Sequence, residues 1–136
     1  MTQIRVRDAA HYLAVSDDTI RRWIEDGTLP ASKSAQGITV VDGLALAHLA
    51  RSRAVRPEDP ASGSSSARNR LVGLVTKVTA DVVMAQVELQ CGPHRVVSLM
   101  SAEAVRELGI VPGSVAVAVI KATNVIVEAP VPSGRP

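Results

Sequence analysis

The stretch Ser66-Ala67-Arg68-Asn69 opens the second half of the chain, and a second polar stretch, Lys121-Ala122-Thr123, stands near its end. Each adjoins a valine-rich segment typical of a β-strand, residues 71–79 for the first and 115–121 for the second. Together the two stretches concentrate hydroxyl groups, cations and backbone N–H donors, which are the groups that hold a small, doubly charged oxyanion. The sequence therefore predicts a buried oxyanion site beside these two strands.

The second half contains five segments that are typical of short strands, at residues 71–79, 82–90, 95–100, 115–121 and 125–128. Ser101 is placed to cap a short helix that reaches Leu108, and the Pro112-Gly113 pair fits a type II turn. This pattern predicts a five-stranded, OB-like β-barrel with one short helix. Residues 115–120 have no polar face, which in so small a domain predicts that another subunit covers the outer face.

The distribution of aromatic residues limits what this barrel can bind. Tyr12 and Trp23 are the only aromatic residues, and both lie in the first half. Barrels of this type hold nucleic-acid bases by aromatic stacking, at about 1–3 kcal/mol per base, which this domain cannot do. A charged oxyanion remains possible, because each hydrogen bond to a charged group contributes about 1.5–3 kcal/mol.

The donors for such an anion are two cations, Arg68 and Lys121, two hydroxyls, Ser66 and Thr123, and the backbone N–H groups around Ala122. A simpler interpretation makes Lys121 an exposed lysine at a strand end and the serines the end of a linker. The motif order favours the site: Ser66-Ala67-Arg68-Asn69, Leu71 with Gly73, Leu108-Gly109-Ile110, Gly113, then Ile120-Lys121-Ala122. This order across residues 65–129 resembles the molbindin domain, also called Mop or TOBE.

The resemblance implies both a ligand and contacts. Molbindins bind molybdate or tungstate at interfaces between subunits, which implies that Ser66, Arg68, Lys121 and Ala122 contact molybdate, or tungstate, as a bound ligand. Ser101 keeps a hydroxyl where the family has threonine before the helix, and Thr123 completes the expected set. At the first hairpin, where family members often have glycine, this chain has Ala80-Asp81.

The first half is patterned as two short helices that meet at a tight corner. Val6, Ala9, Ala10 and Leu13 have helical spacing, and a second helix with Ile20, Trp23 and Ile24 on its buried face follows a cap at Ser16 or Asp17. This second helix exposes residues that can reach base edges and phosphates in DNA, namely Asp18, Thr19, Arg21 and Arg22. Asp42 is then the N-cap of a third helix, Gly43–Arg53, in which Leu44, Leu46, Ala47 and Leu49 are available for burial.

The runs from Val6 to Ser16 and from Thr19 to Pro30, with Arg21-Arg22-Trp23 and Glu25-Asp26-Gly27 followed by Leu29-Pro30, resemble the winged helix-turn-helix of the MerR and excisionase families. The resemblance implies a wing at residues 31–41 that is poorer in arginine than usual. It also implies a set of DNA contacts: Ser16, Asp18, Thr19, Arg21, Arg22, Lys33 and Gln36.

Composition changes sharply near residue 57, which favours two small domains. We expect an α+β two-domain fold, with a winged helix-turn-helix at residues 1–53, a flexible linker rich in Pro, Gly and Ser at 54–65, the molbindin domain at 66–130 and a disordered tail at 131–136. Domains this short bury little surface, so self-association is expected.

Several classes of function are disfavoured. His11, His48 and His94 lack partners at metal-ligand spacing, and no nucleophile with a base or carboxylate dyad is evident, so neither an enzyme nor a bound metal cation is expected. Cys91 cannot form an internal disulfide, and no apolar stretch of spanning length occurs, so the cytosol is the expected compartment and no membrane the expected partner.

These observations predict a homo-oligomeric transcriptional regulator that binds double-stranded operator DNA and molybdate or tungstate. A net charge of only +2 is a weak indication of nucleic-acid binding. Two alternatives therefore stay open. One is a molybdate storage or buffering protein whose first domain docks on another protein. The other is an excisionase-type architectural DNA-binding protein whose barrel only oligomerises the chain.

Overall fold

A computed structural model describes residues 2–61, 63 and 65–130, and divides the chain into two compact units, Met1–Arg56 and Pro57–Pro136. The boundaries predicted from sequence for the two domains and the linker, 1–53, 54–65 and 66–130, stay predictions. The predicted tail at 131–136 lies outside the described residues. No helix in the described part of the chain is long and apolar enough to cross a membrane.

The first unit packs three helices against a small antiparallel sheet. The elements, in chain order, are β1 (Gln3–Arg5), α1 (Val6–Leu13), α2 (Asp17–Glu25), β2 (Ala31–Lys33), β3 (Thr39–Asp42) and α3 (Gly43–Arg53). The sheet has the order β1-β3-β2, and the β2–β3 hairpin forms the predicted wing.

Local signals set the helix ends of this unit. The Ser16 Oγ accepts a hydrogen bond from the Thr19 N–H at 3.1 Å, and the Asp42 Oδ2 accepts one from the Ala45 N–H at 3.2 Å, so both predicted caps are confirmed. Helix α1 ends where Ala14 adopts the left-handed conformation, which turns the chain into α2.

A single apolar core joins the three helices to the sheet. Ile20, Trp23 and Leu29 are buried in it, and the Arg53 guanidinium lies over the Trp23 ring at 5.4 Å from its centroid. In α3 the predicted burial of Leu46 and Leu49 is confirmed, but that of Leu44 and Ala47 is wrong. A narrow stripe of α3 meets the core, and both residues lie outside that stripe.

The second unit is built around one antiparallel sheet. Its elements are β4 (Asn69–Ala80), β5 (Met84–Cys91), β6 (His94–Ser101), α4 (Ala102–Leu108), β7 (Val115–Ile120) and a 3₁₀ turn (Ala122–Asn124). The strand order is β6-β5-β4-β7. The predicted α4 is confirmed with Ser101 as its N-cap, and Gly113 with φ of 93° follows Pro112 in the predicted turn.

Strand β4 is shared between two partners. Its first half pairs with β7, from Asn69 opposite Ile120 to Leu74 opposite Val115, and its second half pairs with β5. The register shifts between Val75 and Lys77, which marks a bulge where the strand passes from one partner to the next. The core beneath contains buried Val75, Ala85, Val87, Leu89, Cys91 and Val105.

The prediction of a fifth strand is wrong for the single chain, because residues 125–128 pair with nothing among the described residues, and the fourth strand ends at Ile120 rather than Lys121. The composition of 125–128 suits a strand, but a strand also needs a neighbour to accept its backbone hydrogen bonds.

Gly73 allows the close approach of β4 to β5. A Cβ atom at this position would lie 2.6 Å from the Cys91 Sγ and 2.6 Å from the Gln90 carbonyl oxygen. We expect Gly73→Ala to lower the free energy of unfolding of the second unit by about 1–3 kcal/mol, the usual cost of overpacking, as measured by urea denaturation. Gly63→Ala is the control, because a Cβ there meets only the Ala61 carbonyl oxygen at 4.0 Å. Equal effects of the two substitutions would contradict this explanation.

Candidate oxyanion site and nucleic-acid interface

The pairing of β4 with β7 brings the two polar stretches to the same end of the sheet. Asn69 is the first residue of β4 and lies opposite Ile120, the last residue of β7. Arg68 therefore precedes, and Lys121 follows, a directly paired couple, and paired strands lie about 4.7–4.9 Å apart. The two cations thus leave the sheet side by side, although they are far apart in sequence.

Asn69 fastens this junction with its side chain. Its Nδ2 donates a hydrogen bond to the Ile120 carbonyl oxygen at 3.1 Å, in a half-buried position. Asn69 belongs to the motif Ser66-Ala67-Arg68-Asn69 but is not among the predicted oxyanion contacts. An asparagine at the first position of a strand gives no signal by itself of which carbonyl it will reach, since that depends on the pairing partner.

The second stretch continues into the 3₁₀ turn. The Asn124 N–H donates to the Lys121 carbonyl oxygen at 2.9 Å, and the Val125 N–H donates to that of Ala122 at 3.2 Å. The N–H groups of Ala122 and Thr123 take part in neither bond, because the first N–H groups of a helical turn have no partner within the turn. The turn therefore adds backbone donors to the side chains of Lys121 and Thr123.

On a single chain this set of donors faces solvent, since Ser66, Arg68, Lys121, Ala122 and Thr123 are all exposed. Solvent screens such charges, and an open cluster of this kind selects poorly among anions. Enclosure of an anion would need a further surface.

Ser101 is not brought to this junction within one chain. It ends β6 opposite Met84, at the end of the sheet that lies away from the start of β4. Its Oγ accepts a hydrogen bond from the Ala104 N–H at 3.0 Å, so its place in the sequence is explained by helix capping.

An ion pair ties part of the linker to β4. The Arg70 Nε lies 2.6 Å from the Asp59 Oδ2, and the Arg70 Nη2 donates to the Ala61 carbonyl oxygen at 2.7 Å. The hydrogen bond from Arg70, then that from the Ala61 N–H, lowers the pKa of Asp59, and the same pair raises the pKa of Arg70. This contact could not be predicted from sequence, because nothing local links an aspartate in a proline-rich segment to a particular arginine.

In the first unit, α2 presents its polar face to solvent. Asp18, Arg21 and Arg22 are exposed, while Ile20 and Trp23 are buried on the other side. Ser16 and Thr19 are engaged with each other, with 3.0 Å between their hydroxyl oxygens. The exposed arginines are therefore the groups of this helix that are best placed to meet a phosphate or a base.

The wing carries the other two predicted DNA contacts. The Lys33 Nζ donates to the Thr39 Oγ1 at 2.7 Å across the hairpin, and Gln36 is exposed in the loop. The Ser34 Oγ accepts the N–H groups of Gln36 and Ile38, which fixes the shape of this loop. In the part of the chain that the structure describes, no group of His, Cys, Asp or Glu residues could hold a metal ion.

The fold and these surfaces define a class of protein: a helix-turn-helix unit joined to an antiparallel β unit with clustered anion donors. The description "Helix-turn-helix domain" matches residues 4–54, and "TOBE domain" matches residues 65–127. The chain belongs to the TOBE-domain family of molybdenum-pterin-binding proteins, with a helix-turn-helix domain at its N-terminal end.

Two relatives support this assignment. Molybdenum-pterin-binding proteins 1 and 2 of Clostridium pasteurianum are each 40% identical over 67 residues, which cover 48% of this chain and 98% of the relative. A solved structure of the cytoplasmic molybdate-binding protein ModG with molybdate bound is 43% identical, with a TM-score of 0.47, and the match covers 50% of this chain and 49% of that one.

The hydrogen bond from Asn69 should stabilise the junction by about 1 kcal/mol, the net contribution of a typical hydrogen bond. We expect Asn69→Ala to lower the free energy of unfolding of the second unit by about this amount in urea denaturation. Asn124→Ala is the matched control, because Asn124 lies in the 3₁₀ turn that follows β7 and is exposed. If both variants unfold at the same urea concentration, the side chain of Asn69 does not hold the junction.

Proposed function

We propose that this protein is a cytoplasmic transcriptional regulator that binds molybdate, or tungstate, through its second unit and operator DNA through its helix-turn-helix. The observation that carries the proposal is the pairing of Asn69 with Ile120, because Arg68 and Lys121 directly adjoin this pair in the sequence. The names of the relatives support molybdate as the anion.

The donor set fits a tetrahedral dianion. Arg68 and Lys121 match its charge, Ser66 and Thr123 offer hydroxyls, and the backbone at Ala122 offers a neutral donor. Several such bonds at about 1.5–3 kcal/mol each can offset the desolvation of the anion once water is excluded. Because one chain leaves these groups exposed, the proposed site lies at an interface between copies in a homo-oligomer with OB-like barrels, where Ser101 of another copy can approach.

The proposed DNA surface combines α2 with the wing. Arg21 and Arg22 can contact phosphates or guanine, while Asp18 and Thr19 are suited to base edges. Lys33 and Gln36 extend the surface along the hairpin. Ser16 contributes chiefly as the cap that orients α2, because its hydroxyl already accepts the Thr19 N–H.

Control of DNA binding by the anion requires that the anion favour one state of the oligomer over another. A coupling free energy of about 1–3 kcal/mol would change operator affinity about 5- to 150-fold, and the operator would change molybdate affinity by the same factor. The effect of molybdate on operator binding and the effect of the operator on molybdate binding therefore measure the same coupling free energy.

We expect molybdate and tungstate to raise the thermal midpoint of the second unit more than sulfate or phosphate do, and Arg68→Ala and Lys121→Ala to abolish this shift, because each removes half of the compensating charge. Lys77→Ala is the matched control, since it removes an exposed cation from β4 away from the junction. A shift that survives both Arg68→Ala and Lys121→Ala would place the anion elsewhere.

We expect Arg21→Ala and Arg22→Ala to weaken operator binding and to lower the slope of log affinity against log salt by about one for each lost phosphate contact. Arg51→Ala, which removes an exposed arginine from α3, is the control. Titration calorimetry with molybdate, in the presence and absence of operator, then measures the coupling. Identical molybdate affinities in the two titrations would reject anion control of DNA binding.

The acidic character of α2 favours a second candidate function. Asp17, Asp18 and Glu25 outnumber its two arginines, which weakens the attraction of the helix for phosphate. A molybdate buffer whose head docks on a protein would fit this charge. Salt-dependent retention of a palindromic duplex by the full chain would reject the buffer, whereas absence of any duplex binding at low salt would favour it.

A further inference from the structure

The segment that joins the two family-matched parts of the chain carries a contact that neither part accounts for. The helix-turn-helix match ends at residue 54, and the TOBE match begins at residue 65. Among the described residues from 51 to 66, Asp59 alone is half-buried, and the others are exposed. A half-buried carboxylate needs a partner, because the removal of water from a charge is unfavourable.

Arg70 supplies this partner from β4. Its Nε lies 2.6 Å from the Asp59 Oδ2, and its Nη2 lies 3.4 Å from the Asp59 Oδ1. The same Nη2 donates to the Ala61 carbonyl oxygen at 2.7 Å. A planar guanidinium can hold two acceptors at once in a fixed geometry, which a lysine ammonium does less well. The side chains of Arg70 and Asp59 are only 25% and 26% exposed, so solvent screens this pair less than a fully exposed one.

Two short turns restrict the backbone of the same segment. The Asp59 Oδ1 accepts a hydrogen bond from the Ala61 N–H at 2.9 Å, and the Ser65 Oγ accepts one from the Ala67 N–H at 3.1 Å. Turns of this kind, closed by Asp or Ser side chains, fix a few residues without the help of a strand or helix. The second turn contains Ser66, so the predicted oxyanion contacts begin inside a turn.

The ion pair also closes a loop. We call residues 59–70 the strap loop, and Ser66 and Arg68, two of the predicted oxyanion contacts, lie within it. Arg70 is the second residue of β4 and lies opposite Val119 of β7, in the residue pair next to the paired end of the two strands. Without the ion pair, Ser66 and Arg68 would be attached to the sheet on one side only. A chain that is fixed at both ends has fewer conformations than one that is fixed at a single end.

We propose that Asp59 and Arg70 are positioning residues for the oxyanion site: by closing the strap loop, they hold Ser66 and Arg68 in place before the anion binds. This inference rests on the proposed function. Donors that are ordered in advance lose less conformational entropy on binding, so the affinity is higher. Asp59 and Arg70 act through the loop, because the Arg70 guanidinium is already engaged by Asp59 and Ala61.

The ion pair is electrically neutral, which separates its effect on geometry from an effect on charge. Hydrogen bonds from Arg70 and from the Ala61 N–H lower the pKa of Asp59, and Asp59 raises the pKa of Arg70, so both groups are charged at neutral pH. Loss of the carboxylate alone would leave Arg70 unpaired and would strengthen the attraction for any anion. Loss of both groups keeps the net charge, and therefore isolates the closure of the loop.

A charge-neutral double variant of the full-length protein, Asp59→Ala with Arg70→Met, tests the proposal. Titration calorimetry should show a molybdate affinity that is lower by about 2- to 5-fold, the range that a partly exposed ion pair can supply. NMR relaxation without the anion should show that the amide order parameters of Ser66 and Arg68 fall from about 0.85, typical of rigid backbone, to below about 0.6. Saturating molybdate should restore much of this order, because the bound anion then holds the donors.

The matched control removes the ion pair between Glu88 and Arg95, which joins β5 to β6, through Glu88→Ala with Arg95→Met. This double variant loses the same two kinds of charge but leaves the strap loop closed. The molybdate affinity and the order parameters of Ser66 and Arg68 should therefore stay unchanged. Equal losses in the two double variants would mean that general destabilisation causes them, and the positioning role would be wrong.

Other results would also overturn the proposal. Unchanged order parameters in the Asp59→Ala, Arg70→Met variant would show that the strap loop does not need the ion pair, and a higher molybdate affinity would show that Asp59 opposes the anion. If the unaltered protein and this variant bind molybdate equally well, the positioning role fails while the proposed function stands. If the unaltered protein does not bind molybdate, the proposed function fails and the positioning role fails with it.

Discussion

The pairing of β4 with β7 is the interaction on which the second unit depends. It joins residues that are far apart in sequence, so its formation closes a long loop that contains β5, β6 and α4. Once it forms, Arg68 and Lys121 become neighbours and the 3₁₀ turn is fixed beside them. The bulge after Val75 and the missing side chain at Gly73 let β4 pair with β5 as well, so one strand joins the rest of the sheet to the cluster of exposed donors.

Features that depend on a few consecutive residues could be predicted from sequence. The caps at Ser16, Asp42 and Ser101 were predicted correctly, because a side-chain oxygen and an N–H a few residues ahead suffice to define them. The burial of Trp23 followed from helical periodicity. The order of motifs around residues 66–69 and 121–123 predicted which stretches would meet, and their adjacency follows from the register of the two strands.

Features that depend on residues distant in the chain could not be predicted from the sequence. Residues 125–128 have the composition of a strand, but the chain offers them no neighbour, and sequence pattern does not distinguish a strand paired within one chain from one paired between chains. The contact of Arg70 with Asp59 and the distance of Ser101 from the junction are of the same kind, since both depend on where other elements place these residues. The family resemblance implied that Ser101 contacts the ligand, but within a single chain the Ser101 hydroxyl caps α4.

The helix-turn-helix unit has only a weak positive charge, so self-association of the chain would also affect its binding to DNA. With three carboxylates on α2, one helix-turn-helix unit gains little from phosphate attraction, whereas two such units on the proposed oligomer would raise the effective concentration of the second at an operator. In the proposed function, an anion that stabilised the oligomer through Lys121 and Arg68 would strengthen DNA binding without contacting DNA, because any ligand that binds only the assembled state shifts the equilibrium toward it. The proposed link between anion binding and DNA binding is then the effective concentration of helix-turn-helix units, and it would need no change in the shape of the unit itself.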